Sequence, residues 1–72
     1  MSVVYLVADY RPHGTAGHSK PYWRVVAMCS DIVQAMRYAL HDSVVAEFTD
    51  HESAWRAYTS KALPESGFRV IR

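Results

Sequence analysis

Between Tyr10 and Arg24 the chain gathers the cations Arg11, Lys20 and Arg24, the imidazoles of His13 and His18, and the rings of Tyr10, Tyr22 and Trp23. The one acid beside them is Asp9. Cations interleaved with aromatic rings neutralise phosphates and stack on bases, and a two-stranded ribbon fits a major groove. The same residue types suit an acidic protein surface, because Tyr, Trp and Arg dominate binding hot spots. Tyr10, Arg11, His13, His18, Lys20, Tyr22, Trp23 and Arg24 therefore form the first candidate binding set. The plainer expectation is a solvated hairpin tip whose rings fold back onto the core.

Other chemistries fit less well. The glycines of Gly14-Thr-Ala-Gly17-His-Ser-Lys20 do not make a nucleotide-phosphate loop, because serine precedes lysine and the segment runs through Pro21 into a strand rather than into a helix N-terminus. Two histidines on one loop do not complete a tetrahedral metal site, so neither a metal nor a cofactor is expected. Cys29 stands alone, which rules out an internal disulfide. It could gain reactivity beside a helix N-terminus, but a small buried thiol is the commoner outcome. A chain this short is also not expected to enclose a pocket of several hundred Å³ without a partner. An enzyme acting through Cys29 or the His13/His18 loop is thus a remote reading.

Two weaker surfaces follow. Gln34, Arg37, Tyr38 and His41 share the polar side of a helical pattern and form a second candidate contact. Asp42, Glu47, Asp50 and Glu52 make an acidic stretch without Lys or Arg. It could mimic phosphates or meet the basic tip of a second copy, although helix capping already accounts for two of the acids.

These side chains need a scaffold. Residues 3–9 are β-branched and aromatic, apolar on both alternating faces, and read as a strand. Pro12, Gly14, Gly17 and Pro21 end it in a long loop. Residues 22–29 alternate again, with Trp23, Val25, Ala27 and Cys29 on one face and Tyr22, Arg24, Val26 and Met28 on the other. The two strands should form an antiparallel hairpin. The period then becomes helical, with Ile32, Ala35, Met36, Ala39 and Leu40 at i, i+3, i+4, i+7, i+8, capped by Ser30 or Asp31. Residues 43–48 return to alternation. Thr49 with Glu52 reads as a capping box for a second helix over residues 50–62, whose apolar stripe is Ala54, Trp55, Tyr58 and Ala62. Glu52 and Arg56 pair on its outside, Pro64 and Gly67 stop it, and Phe68-Arg-Val-Ile makes a last short strand.

The order β-β-α-β-α-β predicts a single α+β domain over residues 1–72, a four-stranded mixed sheet with two amphipathic helices packed mainly on one face. In that two-layer arrangement Tyr5 or Leu6, Val26, Val45 and Ile71 line an open face, which suits self-association as a homodimer. The alternative is that the crossovers run opposite ways and put a helix on each face. Half of the 72 residues are hydrophobic and 21% are charged, which is globular rather than disordered composition. A net charge of +1 gives no global field, so electrostatic recognition has to be local. With one cysteine, and neither an export leader nor a run of about 20 apolar residues, the expected setting is the cytoplasm. The function expected is that of a small non-catalytic binding protein, an inhibitor or adaptor of the kind phages and mobile elements encode, which occupies a surface of a larger macromolecule. A protein partner is expected first, and a nucleic-acid-binding module using the hairpin is the alternative.

Overall fold

The computed structural model describes residues 3–12 and 20–72. The elements run β1 (Val4–Arg11), β2 (Tyr22–Cys29), α1 (Ile32–Tyr38), β3 (Val44–Phe48), α2 (His51–Ser60) and β4 (Arg69–Val70). The strands form one sheet in the order β2-β1-β3-β4. The α+β class, the six-element order and the N-terminal antiparallel hairpin are as the residue pattern predicts. Among the described residues, no helix is long and apolar enough to cross a membrane.

Two features of the predicted architecture are corrected. The sheet is antiparallel throughout rather than mixed, because β1 lies between β2 and β3 and pairs antiparallel with each, and β4 pairs antiparallel with β3. The connection through α1 therefore passes over β1 and joins strands that are not neighbours. The helices also take opposite faces. Ala35 of α1 packs with Val7, Cys29 and Val45, whereas Ala54 and Ala57 of α2 pack with Leu6, Ala8, Val25, Ala46 and Phe48. The handedness rule for crossovers applies to parallel strands. The link from β3 to β4 joins antiparallel ones, so α2 is free to cover the face that α1 leaves bare. The expected open face is consequently occupied: Leu6 and Val45 are buried, and Tyr5 and Ile71 are half-buried.

Local chemistry explains the helix ends. Asp31 caps α1 by accepting from the Val33 N–H at 3.1 Å. The helix stops at Tyr38, earlier than its apolar spacing predicts, because Ser43 and Leu40 close a turn: the Leu40 N–H donates to Ser43 Oγ at 3.0 Å and the Ser43 N–H to the Leu40 carbonyl at 3.1 Å. Leu40, predicted on the core stripe, is 71% exposed. For α2 the cap is Asp50 rather than Thr49. Its Oδ1 accepts from the Glu52 N–H at 3.2 Å, and Ser53 Oγ donates to its Oδ2 at 2.7 Å. That serine bond, seconded by the Glu52 N–H, holds the Asp50 carboxyl below its ordinary pKa. Lys61 ends α2 in the left-handed conformation at φ 60°, ahead of Pro64 and Gly67.

Phe48 is fully buried, stacks on Phe68 at 5.4 Å and lies under α2. Phe48→Ala should cost about 3–5 kcal/mol, most of the stability a domain of this size has. Chemical denaturation would then show little or no folded baseline at room temperature. Lys61→Gly removes the left-handed penalty, at the expense of the Lys61 ammonium over Tyr58 at 6.0 Å. The net expectation is a small rise in unfolding free energy, of at most about 1 kcal/mol, read by chemical denaturation.

Candidate functional site

β1 pairs with β3 only from Val4 to Ala8 but continues beside β2 to Arg11, so the hairpin runs past the sheet as a two-stranded ribbon. Its cross-strand pairs are Asp9 with Arg24, Tyr10 with Trp23, and Arg11 with Tyr22. Alternation sorts these residues onto two faces. Asp9, Arg11, Tyr22 and Arg24 share the face on which α1 packs lower down, and Tyr10 and Trp23 share the face of α2.

A β-bulge produces this sorting. Val7 pairs with Ala27 and Ala8 with Val25, which leaves Val26 as an extra residue in β2. Because the side-chain period is two, one inserted residue moves everything beyond it to the other face. Ala27 and Cys29 accordingly pack on the α1 side while Trp23 and Val25 pack on the α2 side, although strict alternation puts all four together.

On the ribbon's charged face Asp9 Oδ2 lies 3.5 Å from an Arg24 terminal nitrogen and 3.9 Å from an Arg11 terminal nitrogen. One carboxylate thus sits between two guanidiniums, leaving a local excess of positive charge, with Lys20 exposed near the tip. Asp9 Oδ1, Arg11 Nε and Arg24 Nε are buried without a hydrogen-bond partner. Such a cluster has more donors than acceptors, and its long ion pairs are weak. On the other face the rings of Tyr10 and Trp23 meet at 5.2 Å, tilted by 56°. Trp23 packs against the core under α2, whereas Tyr10 is 47% exposed.

The chain after α2 braces the ribbon's base. Val25 N–H donates to the Lys61 carbonyl at 3.0 Å, Leu63 N–H donates to the Trp23 carbonyl at 3.1 Å, and Ala62 bridges to Arg24. The outer edge of β2 is therefore covered at Trp23–Val25.

Of the first predicted set, the structure brings Tyr10 to Trp23 and Arg11 to Arg24, with Tyr22 opposite Arg11. His13 and His18 lie outside the described residues. Of the second set, Gln34, Arg37 and Tyr38 line a 220 Å³ depression on α1, but His41 falls in the turn beyond the helix and is not part of its outer face. The acidic stretch is largely engaged at home: Glu47 pairs with Arg69 at 3.1 Å, Glu52 with Arg56 at 2.8 Å, and Asp50 caps α2.

Two features escape the sequence reading. Trp55 is 55% exposed and lies at 5.9 Å from Tyr58, because α2 sets the small Ala54 and Ala57 against the sheet and turns the larger ring aside. The Ala54/Ala57 spacing of i, i+3 was the available signal. A groove of about 590 Å³, open to solvent rather than enclosed, also runs between Ser53, Ala57 and Ser60 of α2 and the Ala62–Ser66 segment.

Cys29 is buried, and burial followed by the nearby Asp31 carboxylate raises its thiol pKa. The thiolate that reacts with alkylating agents is thus scarce at neutral pH. Iodoacetamide should label Cys29 at least tenfold more slowly in the native protein than in urea, as followed by mass spectrometry; equal rates would show that the thiol is neither buried nor shifted.

Compared with protein-family models, with curated proteins and with solved structures, the chain matches none.

Proposed function

We propose that this chain is a small non-catalytic binding protein that acts by occupying a surface of a larger protein, an inhibitor or adaptor whose contact is the β1–β2 ribbon. The observation that carries this reading is the extension of the hairpin beyond its last pairing with β3, with exposed Tyr10 on one face and the Arg11/Arg24 pair on the other. Arg and Tyr are the residues that most often concentrate binding energy, and here they stand on a rigid paired element braced from behind by residues 61–63. A rigid presenting element lowers the ordering cost of association. The local charge excess also favours an acidic partner surface in a molecule whose net charge is only +1.

Nucleic acid is the second reading, and the guanidinium pair is what favours it. The two readings differ in their response to salt, since neutralising several phosphates makes affinity fall steeply with salt concentration.

Affinity capture from the native host should recover one large partner in stoichiometric amounts. Arg11→Ala and Tyr10→Ala should each weaken that complex by about tenfold or more while changing the unfolding free energy by no more than about 1.5 kcal/mol, the most that the Tyr10–Trp23 ring contact or the Arg11–Asp9 pair supplies. Unchanged affinity in both variants would remove the ribbon from the interface. A nucleic-acid partner with a steep salt slope would replace the first reading by the second.

A further inference from the structure

Among the described residues, one edge of the ribbon is unpaired. β3 accompanies β1 up to the Ala8–Val44 pair. Beyond that point the chain leaves β1 through the Leu40–Ser43 turn, held by the two hydrogen bonds between those residues. Among the described residues, no backbone hydrogen bond reaches Asp9, Tyr10 or Arg11 from the β3 side, while β2 pairs with them on the other. The β2 edge at Trp23–Val25 is by contrast already taken by residues 61–63. The slot beside Asp9–Arg11 thus prolongs the line of β3 and is bordered by a guanidinium face and an aromatic face.

We infer that this slot receives an extended acidic segment of the protein partner, which adds as a strand beside Asp9–Arg11. Its alternate side chains place a carboxylate against Arg11 on one face and an apolar group against Tyr10 on the other. The inference rests on the reading of the ribbon as the protein-binding surface and names the partner's chemistry.

Three observations select a peptide over a nucleic-acid strand. Because the Trp23 carbonyl turns away from β1 to Leu63, the N–H and C=O of its partner Tyr10 face the slot, and they are matched by another peptide backbone and not by a phosphodiester chain. The arginines and Tyr10 lie on opposite faces, which suits the two-residue side-chain alternation of a strand, whereas a nucleic-acid strand needs its stacking ring and its phosphate contact on one side. The excess charge is also small, since Asp9 offsets one of the two guanidiniums, and a phosphate track calls for more. An acid is the side chain that the cluster accepts: it supplies acceptor oxygens to two partly exposed guanidiniums that share the single Asp9 carboxylate.

The full chain should be titrated with three probes: a capped octapeptide alternating Glu and Val, a capped octapeptide with the same residues in two blocks, and a short mixed-sequence DNA single strand. Backbone amide chemical shifts and tryptophan fluorescence provide the readout. The alternating peptide should give saturable shifts centred on Asp9–Arg11 and bind about tenfold tighter than the block peptide. N-methylation of alternate peptide nitrogens on its pairing edge should abolish binding. Arg11→Gln, which keeps much of the side-chain stem, should weaken binding by about tenfold. Equal binding of the alternating and block peptides, or indifference to N-methylation, would overturn strand addition in favour of charge alone. Shifts confined to α1 or α2, no binding by any peptide, or ribbon shifts with the DNA strand alone would overturn it as well. If the peptides fail while capture of the native partner still depends on Arg11 and Tyr10, the strand-addition inference falls and the ribbon reading stands.

Discussion

Leu6, Val7 and Ala8 are consecutive residues of one strand, and all three are fully buried. Because successive side chains of a strand point to opposite faces, burying three in a row requires cover on both sides of the sheet. Among the described residues two helices are at hand to provide it. The placement of α1 over Val7 and of α2 over Leu6 and Ala8 follows from that one constraint. The small residues Ala35, Ala54 and Ala57 are its counterpart, since they let short helices approach the sheet closely enough to exclude water.

The same strand generates the candidate site. β1 is longer than β3, so its distal third loses one neighbour and keeps the other. Beyond Ala8 its alternation continues, but the residues change from aliphatic to Asp9, Tyr10 and Arg11, and the faces that were core become surface. The bulge at Val26 adjusts the opposing strand so that Trp23 meets Tyr10 and Arg24 meets Asp9. It anchors the aromatic face in the core under α2, while the charged face lies outside the group of residues packed beneath α1. Core and site are thus two ends of one strand.

Much of this was legible in the residues. The change of hydrophobic period at Asp31, Ser43 and Asp50 located all six elements, and the i,i+4 spacing of Glu52 and Arg56 foretold their ion pair. What stayed hidden depends on relations between distant segments. A bulge leaves no mark in the spacing of Trp23, Val25, Ala27 and Cys29, yet it moves two of them to the other face. The side taken by α2 was hidden too, because handedness does not govern an antiparallel connection. The end of α1 depended on the competing Leu40–Ser43 turn, and the exposure of Trp55 on which flank of α2 met the sheet. Within the candidate site, the residue set between Tyr10 and Arg24 could be chosen from composition. Its division into a guanidinium face and an aromatic face could not.

The central claim is that the segment of β1 beyond the sheet, with the strand opposite it, is where this protein meets its partner. Amide hydrogen exchange compared between the free chain and its complex with the captured partner tests this residue by residue, because exchange protection reports which backbone groups become covered. New protection is expected at the Tyr10 amide, which faces the slot, with the β1 core at Leu6–Ala8 protected alike in both states. Protection gained on α1 or α2 with exchange at Tyr10 unchanged would contradict that placement.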